Sequence, residues 1–130
     1  MQGITFFFIF VFCCIAMSGL DLNIDALNER TANDKVLAGA LLSDFVAEMP
    51  TYRSDLLDFS RSDDHKSMAC CLHKLKGCVG IFGFDSIVES VNDIENMANE
   101  GRKCDYESRV EDLFARISDK VEKLYDYLTK

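Results

Sequence analysis

Proline is what this chain has least of. Pro50 is its single proline, and only 7 glycines are spread over 130 residues. An all-β fold needs turn residues at intervals of about 8–12 positions, so that class is excluded. Cationic clusters are missing too. No run of Lys or Arg exceeds two adjacent residues, and 22 acidic against 14 basic side chains leave a net charge of −8. Such a chain carries no electrostatic footprint for nucleic acid or for an anionic membrane surface. The 6 cysteines lack the paired C-x-x-C spacing of a zinc site. Adjacent pairs such as Cys70-Cys71 do not readily ligate or bridge together, and Cys71 and Cys78 read as small buried hydrophobes. Cys70 is the exception, because it falls beside His73, but two ligands make no metal site. With 48% hydrophobic residues and no internal repeat, the chain has the size and composition of one domain.

Charge is also absent from Met1 to Leu20, and Phe6 to Met17 is continuously apolar. Three readings of residues 1–18 stand open. As a membrane anchor the run only just approaches the required length and has no flanking Lys or Arg. As a signal peptide it has a small-x-small pattern at Ala16-Met17-Ser18 but no cationic start. As a misassigned start, it would leave a soluble chain beginning at Met17. The expected arrangement is a cytoplasmic functional domain, with membrane attachment only if the leader is an anchor.

What is present is helical periodicity. Leu22 to Glu29 reads as a short lead-in helix. Asn33 or Asp34 can cap a long helix with apolar positions Leu37, Leu41, Phe45, Met49, Tyr52, Leu56 and Phe59. Pro50 falls inside it, which predicts a kink near Met49. Ser62, Asp63 and Asp64 start a third helix running to about Phe82, where Gly83 breaks it. Phe84, Ile87, Val88, Val91, Ile94 and Ala98 form a fourth stripe, ended by Gly101. A fifth comprises Val110, Leu113, Phe114, Ile117, Val121, Leu124 and Leu128. Short connections place successive helices antiparallel. The expected fold is all-α, an up-down four-helix bundle over residues 19–130 with a short lead-in helix.

The third helix carries the chemistry. At about 100° per residue, with His73 at zero, Lys76 falls near −60°, Gly77 near +40° and Gly80 near −20°. Met68, Leu72, Leu75, Val79 and Phe82 cluster on nearly the opposite side. The imidazole is thus held out of the core, with a cation one turn away and two positions cleared of side chains. Each helix-interior glycine costs about 1 kcal/mol relative to alanine. A helix accommodates that most readily where something must approach closely.

His73-Lys74-Leu75-Lys76-Gly77, followed by Gly80 and Gly83-Phe84, resembles the histidine-containing phosphotransfer (HPt) domain. That family carries H-x-x-K-G on the second long helix of an antiparallel four-helix bundle. The resemblance covers Gly19 to Lys130 and includes the lead-in helix, the proline in the first long helix, and Glu95 on the helix after the motif. It implies a phosphorelay intermediate that accepts a phosphoryl group on His73 from a receiver-domain aspartyl phosphate and passes it to a response-regulator aspartate. The implied partners are receiver domains of a hybrid sensor kinase and of a response regulator. The chain would then be a carrier, not an enzyme, with catalysis shared with its partner. Imidazole, with an ordinary pKa of about 6.5, is largely neutral and nucleophilic at cellular pH. Lys76 can reach charge on the phosphoryl oxygens, and Lys74 is a weaker candidate. Gly77 and Gly80 would admit the receiver's loops. No cofactor is expected on this chain, and Mg²⁺ would be supplied by the receiver's acidic pocket.

Plainer readings exist for each residue. His65, on the first turn of the same helix, is the ordinary surface histidine, since it lacks both the lysine at +3 and the glycine at +4. Lys74 reads as a solvating charge, and Glu95 as either a surface charge or a contributor near the site. Two other functions remain in view. One is a non-phosphorylated bundle that binds a receiver through its His73 face, and the other is a secreted or membrane-tethered bundle.

Overall fold

The structure, a computed structural model, describes residues 22–130. The apolar leader, with its readings as anchor, signal or misassigned start, lies outside them. Among the described residues no helix is long and apolar enough to cross a membrane. The described residues form five helices and no strand: α1 (Ile24–Arg30), α2 (Lys35–Arg61), α3 (His65–Ile81), α4 (Asp85–Asn99) and α5 (Tyr106–Leu128).

Side-chain caps start four of the five. Asn23 accepts from the Ala26 amide, Asp34 from Val36 and Leu37, Asp64 from Ser67, and Asp105 from Ser108. Each satisfies amides that the first helical turn leaves without partners. Asp34 rather than Asn33 is the cap of α2, because Asn33 takes the left-handed φ of +60° that turns the chain out of α1. Gly83 (φ +74°) and Gly101 (φ +65°) end α3 and α4 as expected of residues without a Cβ.

α2 packs against α3 and α5, α3 against α4, and α4 against α5, which closes an up-down bundle. Contacts confirm the antiparallel sense: Arg53 and Arg61 of α2 pair with Glu111 and Glu107 of α5. The short α1 lies on α3, where Arg30 donates to the Gly80 carbonyl at 2.7 Å and Asn23 donates its amide to Gly83. Leu27, Leu42, Leu56, Met68, Leu72, Leu75, Phe84, Ile87, Leu113, Ile117 and Leu124 form the fully buried centre. Burial of each such side chain is worth about 1.5–3 kcal/mol.

The α2 helix runs from Lys35 to Arg61 with Pro50 inside it, as the apolar stripe predicts. One expectation about α2 needs correction. The first half of its core stripe is displaced by one residue. Ala38 and Leu42 are buried, whereas Leu37 is 42% exposed and Leu41 only half-buried. Both rows are apolar, and the packing of α2 between α3 and α5 selects the second. The cysteines are likewise less buried than predicted. Cys71 and Cys78 are half-buried and packed on the core, Cys70 is exposed, and all of the described cysteines are free thiols. Burial, ahead of the nearby Asp55, pushes the Cys71 thiol up to about 11.

Candidate functional site

His73 occupies the middle of α3 with its side chain 71% exposed, while Leu72 and Leu75 beside it are fully buried. Its ring reaches across to α4. Nδ1 lies 3.2 Å from one carboxylate oxygen of Glu95, and Lys76 Nζ lies 2.8 Å from the other. Lys76 also donates to Asn92 Oδ1 at 3.1 Å. Glu95 is only 13% exposed, so it ties the two α3 side chains together beneath the surface they present.

These pairings follow from the hairpin of α3 and α4. His73 and Glu95 each stand eleven residues from Phe84 in the connection, and Lys76 and Asn92 each stand eight. An antiparallel pair with a short turn brings such mirror-related positions opposite one another. Asn92 was missed by sequence reasoning, although this symmetry about Phe84 was a signal that identifies it. Within α4, Asn92 and Glu95 are three apart and therefore share a face.

Electrostatics favour the ionised form of Glu95. Burial raises the Glu95 carboxyl, but hydrogen bonds from Lys76 and His73, together with their charges, outweigh it and hold the group below the usual carboxylate range. An ionised carboxylate can only accept. Nδ1–H of His73 is then the donor, and in the neutral ring that tautomer places the lone pair on Nε2. The arrangement presents a nucleophilic nitrogen, a nearby cation and a carboxylate that stabilises positive charge on the ring.

The other predicted residues separate. Gly77 is exposed, with nothing within 4 Å of where a Cβ would stand. Gly80 is half-buried between α1 and α4: Arg30 holds its carbonyl, and a Cβ there would meet Val88 at 4.0 Å. Lys74 lines a cleft of about 480 Å³ beside His73, together with Lys66, Cys70, Glu95 and Asn99. His65 lies away from the cluster, its ring 5.6 Å from that of Tyr106. Among the described residues, no group of three or more His, Cys, Asp or Glu side chains is arranged to hold a metal.

Comparison with known families matches residues 40–127 to the Hpt domain. The chain belongs to the Hpt domain family. The match runs from within α2 into α5 and contains the whole His73 cluster. No curated protein and no solved structure matches the chain. Membership places the protein in histidine phosphotransfer within two-component phosphorelays, as a phosphohistidine carrier that interacts with receiver domains.

Proposed function

We propose that His73 is the phosphoryl acceptor of this Hpt domain, taking the group from the receiver of a hybrid sensor kinase and delivering it to a response regulator. One observation carries the reading: an exposed imidazole whose Nδ1 faces the Glu95 carboxylate while Lys76 stands on the same network. In the forward step the Nε2 lone pair forms the N–P bond. The P–O bond to the receiver's aspartate breaks, and its electrons remain on the released carboxylate. The ring gains positive charge as the bond forms, and Glu95 stabilises that charge. Lys76 lies one turn from the ring and offsets charge on the equatorial phosphoryl oxygens. Transfer onward is the reverse of this step with a second aspartate. Mg²⁺ belongs to the receiver's acidic pocket in this scheme, since the nearby carboxylate of Glu95 is engaged with His73 and Lys76. Gly77 provides the open surface for the receiver's approach, with Lys74 as a peripheral charge and Gly80 shaping the helix beneath.

The test is incubation with a phosphorylated receiver domain carrying labelled phosphate. Wild type should gain acid-labile, base-stable label, and His73→Gln should lose it by more than about 100-fold while staying folded, because the side chain is exposed and its loss costs at most the one hydrogen bond to Glu95, about 1.5–3 kcal/mol. Receiver binding without label on wild type would sink the carrier role and leave a non-phosphorylated binding module.

A further inference from the structure

The face formed by α2 and α5 lies opposite the α3–α4 pair that carries His73. There the two helices leave an open groove of about 800 Å³, floored and walled by Val46, Met49, Pro50, Val121 and Tyr125. Val46 is 43% exposed and Tyr125 60% exposed, so the groove offers apolar side chains that a partner can cover. Pro50 adds a polar feature. It has no N–H, so the Val46 carbonyl lacks the amide donor that residue i+4 supplies elsewhere in a helix.

Charge decides what fits. Among the described residues, the charged side chains lining the groove are Asp119 and Glu122, and no Lys or Arg lines it. Lys123 pairs with Asp119 at 3.1 Å, which leaves Glu122 as the more available charge. A second copy of the chain would bring the same acidic side chains against themselves, and each copy carries −8 overall. A helix with an apolar stripe flanked by lysine or arginine meets both the floor and the rim. From Leu42 to Pro50 the groove follows about 12 Å of the α2 axis, which matches two to three turns of such a helix.

We propose that the α2–α5 groove docks a basic amphipathic helix of another protein, while the His73 face stays open to receivers. The bundle is then held by one partner as it exchanges phosphoryl groups with others. Docking in the groove does not rest on the role of His73, whereas exchange while docked rests on the function proposed above.

The test uses the full chain and a fluorescent 15-residue Leu/Lys peptide with its apolar residues in helical register, beside a Leu/Glu counterpart. Anisotropy should show saturable binding of the Leu/Lys peptide only. Tyr125→Ala and Glu122→Lys should each weaken it at least fivefold, with unchanged circular dichroism. Amide shift changes should centre on Val46, Met49 and Val121, and phosphoryl acceptance should persist at saturating peptide. Four results would each overturn the proposal. They are no binding to the full chain, as when its own apolar leader fills the groove; equal binding of the Leu/Glu peptide; shifts spread over the acidic surface or centred on α3; and self-association abolished by Tyr125→Ala, which assigns the groove to a second copy.

Discussion

Nδ1 of His73 and a carboxylate oxygen of Glu95 face each other at 3.2 Å across the α3–α4 interface. The contact joins a reactive-type side chain that is mostly in solvent to one that is mostly out of it. A charge-assisted hydrogen bond of this kind is worth about 1.5–3 kcal/mol, so Glu95→Gln should slow phosphoryl acceptance by about tenfold or more. Single-turnover transfer from a phosphorylated receiver measures it, and an unchanged rate would reduce Glu95 to a structural anchor.

The same carboxylate sets a dependence on pH. Its folded pKa is depressed, so it contributes stability above the unfolded value of about 4.3 and loses it as pH falls through the folded value. Acidification from about pH 5 toward pH 2 should lower the urea midpoint of wild type more than that of Glu95→Gln. Equal losses in the two proteins would show that the network does not stabilise the ionised form.

Lys76 and Asn92 make a graded pair. Lys76→Ala removes the cation and should slow transfer by at least about tenfold, because phosphoryl transfer depends on charge neutralisation. Asn92→Ala leaves the cation but frees one of its two holds, so a loss of about two- to fivefold is expected, within the range of one neutral hydrogen bond. The loss should lie in the maximal rate and not in the receiver concentration needed for half of it. Stopped-flow titration with receiver separates the two, and a pure affinity effect would place Asn92 in docking instead.

Two glycines should respond in opposite ways. Gly77→Ala fills open space in a helix interior, so the fold should gain about 0.5–1 kcal/mol. The added methyl group stands on the surface proposed for receiver approach, and acceptance should slow. Gly83 has φ +74°, and a Cβ there would collide with the Asn23 carbonyl oxygen. Gly83→Ala should therefore cost more than about 1 kcal/mol through strain and loss of α1 docking. Thermal unfolding of both variants beside their transfer rates distinguishes a stability effect from an access effect.

Much of this was legible beforehand because its signals are local. Asp34 and Asp64 cap helices through amides two or three residues away, and Gly83 and Gly101 supply left-handed turns at the ends. The stripe of Met68, Leu72, Leu75 and Val79 needs only the helical period to place His73 on the outer face. The choice of Leu42 over Leu41 was not local. Both rows of α2 are apolar, and only the positions of α3 and α5 decide which is covered.

The sequence by itself determined the helices, their order, the exposed histidine and the cation one turn from it, because period and capping act over a few residues. Only the tertiary structure decided what the histidine's inner nitrogen meets. Antiparallel packing about Phe84 brings Glu95 to His73 and Asn92 to Lys76, and no property of either helix alone requires those pairs. It also parted Gly77 from Gly80, leaving one in the open and setting the other against Arg30 and Val88. A side chain's partners are fixed by where a second element lies, and that is a consequence of packing the whole bundle.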